Sequence, residues 1–184
     1  MPPRKHKQST WSSVKAAASG LSRDDLLALL RNLYELSSSN KQFVDARLRI
    51  GSDHVAPHKK IVSDCMYPDV LRNHPVQISK AKKAISDYRK AAGDIHGEID
   101  LMIHFVECGN RFTCDYGDIN EPFYDALLNM YAKAVQAVAG LPEPAMAPFR
   151  NRLWKLTEAS RGIGWGYHDD LCEAYYSVFP EDDA

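Results

Sequence analysis

Apolar residues recur every three or four positions along most of the chain, which is the spacing of one face of an α-helix. The clearest stripe follows a serine cap at Ser22 and consists of leucines 26, 27, 29, 30, 33 and 36. Alternating polar and apolar runs bounded by hairpin turns, which would indicate strands, do not occur in the sequence. The pattern therefore predicts an all-α fold.

Glycine, proline and capping residues divide the chain into about eight amphipathic helices. One of these is predicted over residues 95–108, and the segment 109–120 after it is rich in turn residues. Asn40 is predicted to cap the helix that follows the leucine stripe. Short connections favour antiparallel hairpins, arranged either as a degenerate solenoid similar to HEAT repeats or as an orthogonal bundle.

The length of 184 residues suits one domain, which we place over residues 11–180. Residues 1–10 are predicted to be a flexible basic tail, and residues 181–184 an acidic tail. No apolar run approaches the roughly 20 residues that a membrane span needs, and no secretory signal pattern precedes the first helix. Four cysteines without a C-x-x-C pair add to the expectation of a cytoplasmic protein.

The charge is strongly segregated along the chain. Residues 1–92 contain 17 Lys and Arg against 8 Asp and Glu, whereas residues 93–184 contain 6 against 16. Charge asymmetry of this kind bears on association rather than on fold. It favours a protein partner, and it leaves open nucleic acid, a second copy of the chain, or mutual neutralisation of the two halves.

Two segments resemble a family of small uncharacterised bacterial proteins, a domain of unknown function. They are LSRDDLLALLRNLYELSSSNKQFVDARL (21–48) and GIGWGYHDDL (162–171), which together cover about a fifth of the chain. The first helix pair is also similar to the helical hairpins of HEAT-like repeat proteins. The family resemblance implies a bacterial, cytoplasmic, all-helical protein and no particular activity.

Candidate chemistry is concentrated on the helix that follows Asp94. His96, Asp100 and His104 are spaced four residues apart and so share one face, as the two ligands of an H-E-x-x-H metal site do. Together with His168 they form a hypothetical divalent-metal site, although a solvated face of paired side chains explains the same spacing and no cofactor is expected. Arg161 and His168 also fit the loose R-x(4–6)-H pattern of RNA-cleaving HEPN enzymes.

A second hypothesis concerns a basic surface in the first half of the chain. Its candidate contacts to a partner or to nucleic acid are Lys59, Lys60, Lys80, Lys82, Lys83, Arg89 and Lys90. No helix-turn-helix, zinc-finger or RNA-binding motif accompanies them. The sequence therefore favours a non-catalytic interaction or adaptor protein, with an enzyme and a nonspecific nucleic-acid binder as alternatives.

Overall fold

The structure is a computed structural model that describes residues 10–51 and 53–180. Within these residues it contains nine α-helices, a 3₁₀ turn at Val70–Arg72 and no strand, which confirms the all-α prediction. The helices are α1 (Trp11–Ala18), α2 (Arg23–Leu36), α3 (Ser38–Leu48), α4 (Ala56–Met66), α5 (Ile78–Ala92), α6 (Ile95–Tyr116), α7 (Glu121–Ala139), α8 (Glu143–Ala159) and α9 (Tyr167–Tyr176).

Contacts between residues divide the chain into two compact units, Met1–Val44 and Asp45–Ala184. The predicted single domain over residues 11–180 stays a prediction, because a unit defined by contact density is not by itself an independently folding domain. The predicted tails lie outside the described residues, apart from Thr10. No helix in the described part of the chain is both long and apolar enough to cross a membrane.

In the first unit, local hydrogen bonds determine where the helices begin. The Ser22 hydroxyl accepts a hydrogen bond from the backbone N–H of Asp25, so the predicted cap of α2 is present. The predicted cap at Asn40 is wrong, because α3 already begins at Ser38 and the hydroxyl of Ser37 accepts from the Asn40 N–H. The Asn40 side-chain amide instead donates to the carbonyl of Leu33 at 2.8 Å, which ties α3 to the last turn of α2.

In the second unit, α6 is the central helix. It packs against α4, α5, α7 and α8, while α9 packs against α7 and α8. Twelve of its 22 residues are buried, including Leu101, Ile103 and Phe105. A helix buried on most of its circumference has room for polar side chains only along a narrow strip. The few charged side chains of α6 therefore mark where it faces solvent or polar groups of its neighbours.

The predicted end of this helix near residue 108 is wrong, because α6 continues to Tyr116. Gly109 does not interrupt it, since a Cβ atom there would lie 2.3 Å from a methyl group of Leu127 on α7. The glycine lets the two helices approach closely, and the burial gained outweighs its low helix propensity. The helix ends instead at Gly117, whose φ of +90° favours glycine.

Candidate functional site

The polar strip of α6, which includes Asp100, His104 and Glu107, forms a network of ion pairs with α4 and α8. Asp100 accepts a hydrogen bond from Lys59 Nζ of α4 at 2.7 Å, and its other oxygen accepts from Arg152 Nη1 of α8. Two turns further along, Glu107 accepts from Arg152 Nε at 2.6 Å and from Nη2 at 2.7 Å, which is the two-bond geometry of a guanidinium and a carboxylate. The side chains of all these residues are about two-thirds buried or more.

Both carboxylates are held in the charged form. Burial by itself would raise the pKa of Glu107, but hydrogen bonds from Arg152 and His104 outweigh it and lower that pKa to about 2. Burial also acts to raise the pKa of Asp100, and hydrogen bonds from Lys59 and Arg152 again bring it below its ordinary value. The network therefore consists of fixed charges at neutral pH.

A Ser–His–Glu arrangement adjoins the ion pairs. His104 Nε2 lies 2.7 Å from the Ser63 hydroxyl and 3.5 Å from the Cys108 sulfur, and Nδ1 lies 3.5 Å from a Glu107 oxygen. The hydrogen bond with Cys108 and the one with Glu107 raise the pKa of His104 to about 9. An imidazole that already carries its proton at neutral pH does not accept one from serine. The arrangement is suited to bracing α4 against α6 rather than to activating Ser63.

The structure places the four candidate metal ligands in different surroundings. Asp100 and His104 belong to the ion-pair network, where cations already engage both oxygens of Asp100. His96 lies near Asp94, with 3.7 Å between Nδ1 and the carboxylate. His168 Nδ1 lies 2.9 Å from the Ser160 hydroxyl. Within residues 10–51 and 53–180 no group of three or more His, Cys, Asp or Glu side chains is arranged to hold a metal ion.

The residues of the HEPN-like pattern likewise have partners of their own. Arg161 Nη2 donates to Glu158 at 2.7 Å on the surface of α8, and His168 Nδ1 also lies 3.1 Å from the carbonyl of Thr157. His168 therefore contacts Ser160 and Thr157, whereas Arg161 contacts Glu158. RNA cleavage through Arg161 and His168 stays a prediction.

Several of the predicted basic contacts are neutralised by neighbouring carboxylates. Lys59 binds Asp100 as described, and the further pairs are Lys60 with Asp64, Lys83 with Asp87 and Arg89 with Glu98. Lys80, Lys82 and Lys90 have no ion pair among the described residues. Burial and the nearby Lys133 lower the pKa of Lys82. The positive field of α4 and α5 is therefore weaker than a count of lysines and arginines indicates.

The first unit presents a different kind of surface. The leucine stripe predicted from the sequence forms on α2, yet no residue of α1 or α2 is buried. The exposed fraction of these leucines runs from 39% at Leu30 to 74% at Leu36. Trp11 and Val14 of α1 are exposed as well. We call the five side chains that share one face of α2 the leucine face: Leu26, Leu29, Leu30, Leu33 and Leu36.

Sequence reasoning missed Arg152 and Ser63, which complete the network around α6. A usable signal was present: Asp100, His104 and Glu107 lie on one side of a helix segment whose other positions from 99 to 106 are apolar. Buried carboxylates require cations from another element. The sequence does not say which of its 23 lysines and arginines would supply them.

No protein-family model, curated protein or solved structure matches the chain. The resemblance to a bacterial domain of unknown function therefore stays a prediction.

Proposed function

We propose that this protein is a helical interaction protein that binds a partner protein through the leucine face of α2. The observation that carries the proposal is the exposure of five leucines along one side of a 14-residue helix. Single exposed apolar side chains are common on proteins, but a contiguous stripe of them is typical of an interaction site. The stripe is about 15 Å long, since ten residues separate Leu26 from Leu36 and a helix rises about 1.5 Å per residue.

The free energy that a partner could gain by covering the leucine face indicates how much further contact it must make. Covering a leucine completely is worth about 1.5–3 kcal/mol, so five leucines that are already half-covered offer on the order of 5 kcal/mol. Association of two proteins costs at least about 4 kcal/mol in lost translational and rotational freedom. The leucine face therefore needs a partner that makes further contacts around it.

Charge indicates the nature of those further contacts. Residues 1–44 contain seven Lys and Arg against three Asp and Glu. Lys15 and Arg23, which flank the apolar positions in sequence, have no ion pair among the described residues, whereas Arg31 is paired with Glu35. The partner that fits is a protein whose own apolar stripe is flanked by acidic side chains.

Photocrosslinking from defined positions tests the proposal in the intact chain. A benzophenone amino acid is placed at Leu26 or Leu30 on the leucine face, and at Ala28 or Asn32, two residues further along and so on the opposite side of α2, as matched controls. After irradiation in the source cells, we expect one discrete protein adduct from positions 26 and 30 and none from positions 28 and 32. The captured protein is then purified and its affinity measured by titration.

Paired charge variants complete the test with that purified partner. Leu26→Glu/Leu30→Glu and Ala28→Glu/Asn32→Glu add the same charge at the same spacing on opposite faces of α2. Loss of binding in the first variant alone supports the proposal. Absence of an adduct, an adduct of the chain with itself, an adduct that nuclease removes, or equal effects of the two variants would each overturn it.

A further inference from the structure

A cavity of about 310 Å³ runs between two helices of the second unit. Its walls come from residues at i, i+3, i+4 and i+7 on each helix, from Glu107 to Cys114 on α6 and from Arg152 to Ala159 on α8. Such spacing selects one face of each helix over two turns, which makes the cavity a groove about 10 Å long. Its volume lies at the lower end of the range for small-molecule sites.

The floor of this groove is mainly apolar. Leu156 and Ala159 contribute aliphatic surface from α8. Asn110 on α6 also lines the groove, but its polar atoms are already engaged: the amide nitrogen donates to the Leu156 carbonyl, and the oxygen accepts from the Tyr167 hydroxyl at 2.8 Å. An occupant of the floor therefore gains little from polar groups and more from an apolar body.

The rim of the groove carries excess positive charge. Arg111, Arg152 and Lys155 line it together with a single carboxylate, Glu107, which Arg152 binds through two hydrogen bonds. Lys155 has no ion pair among the described residues. The Arg111 guanidinium lies over the Tyr67 ring at 4.6 Å, and its Nε lies 3.5 Å from Asp115, which does not line the groove. Taken together, the charged side chains that line the groove sum to about +2.

The geometry points to a binding site for a small amphiphilic organic anion, with its carboxylate among the cations of the rim and its apolar body along the groove. Charge complementarity favours this occupant, because the lining carries three cations against one carboxylate, and one of these cations, Lys155, has no ion pair among the described residues and so is available to an anion. The ion-pair network holds Arg152 and Glu107 in place through contacts within the protein. This site lies in the second unit and does not depend on the leucine face.

Octanoate is a probe of the required chemistry, octanol is its neutral counterpart of equal chain length, and acetate is its carboxylate without the apolar body. Binding is followed by titration calorimetry and by the rate at which iodoacetamide modifies Cys114, which lines the groove and is exposed. Modification of Cys172, which does not line it, serves as an internal reference. We expect octanoate to slow labelling of Cys114 alone, and octanol and acetate to have at least about tenfold weaker effects.

Two variants locate the ligand. Lys155→Glu should weaken octanoate binding by about tenfold because it replaces attraction with repulsion at an exposed position, and Lys133→Glu on α7 is the matched control. Ala159→Phe should abolish protection of Cys114 by filling the groove. No protection by octanoate, equal protection by octanol, or equal weakening in Lys155→Glu and Lys133→Glu would overturn the assignment.

Discussion

Replacing Arg152 with methionine tests whether the ion-pair network holds α6 and α8 together. The substitution keeps most of the apolar stem but removes the guanidinium that binds Asp100 and Glu107. Removing one partner of a buried pair costs about 3–5 kcal/mol, because the other charge is left without compensation. Here the Arg152 side chain is 29% exposed and Lys59 still neutralises Asp100, so we expect a loss of about 2–3 kcal/mol in the free energy of unfolding.

Urea unfolding followed by helical circular dichroism measures this loss. With a denaturant slope of about 2 kcal/mol per molar, the midpoint of Arg152→Met should fall by about 1–1.5 M. Arg161→Met is the matched control, because Arg161 pairs with Glu158 at the surface and its side chain is 66% exposed. We expect a change of under about 0.5 kcal/mol for this control. Equal midpoint shifts for the two variants would refute the assignment of a stabilising role to the network.

A triple variant separates the effect of losing the Arg152 guanidinium from the cost of burying the two carboxylates that it leaves without their partner. Arg152→Met/Asp100→Asn/Glu107→Gln removes the unpaired carboxylates together with the cation. We expect it to recover at least half of the stability lost in Arg152→Met, since uncharged groups cost less to bury. A triple variant less stable than Arg152→Met would show that the carboxylates stabilise the fold through other contacts.

Two further substitutions probe the second unit. The pKa of His104 is raised from 6.5 to about 9, so its contribution to stability, at most about 3 kcal/mol, is complete below pH 6.5 and is lost as the pH rises through 9. His104→Gln should abolish this decline in stability at high pH, whereas the control His96→Gln should retain it. An unchanged decline in His104→Gln would contradict the assignment. Gly97→Ala places a Cβ 2.2 Å from the Tyr88 hydroxyl and should lower the free energy of unfolding, measured in urea, by about 1–3 kcal/mol. Gly140→Ala, whose Cβ meets nothing closer than 3.5 Å, should change stability by under about 0.5 kcal/mol, and a similar result for both glycines would contradict the close packing described.

Two glycines that look alike in the sequence serve different purposes in the fold. Gly93 ends α5 with φ of +60°, as expected of a glycine that follows a helix. Gly109 was predicted to begin a turn, yet it lies buried within α6 against Leu127. A glycine has no side chain to show which of these purposes it serves. The difference depends on whether another helix passes within van der Waals distance, which is a property of the packed chain.

The same contrast holds for the charged residues. Spacing alone placed Asp100 and His104 on one face of one helix, because helical periodicity is a local property of the backbone. It did not reveal that the face meets Arg152, which is 52 residues away from Asp100 in sequence. Nor did it reveal that four of the seven lysines and arginines predicted to contact a partner or nucleic acid are paired with carboxylates.

The amino-acid sequence by itself determined the all-helical class, the cap at Ser22 and the leucine stripe, since each depends on residues within one or two helical turns. Only the tertiary structure decided that this stripe is exposed while the strip of charges on α6 is enclosed. Whether a side chain is buried depends on which helix surfaces come into contact, and those surfaces can be far apart in sequence. The free-energy change when a leucine or a carboxylate leaves water depends on this burial more than on the neighbouring residues in the sequence.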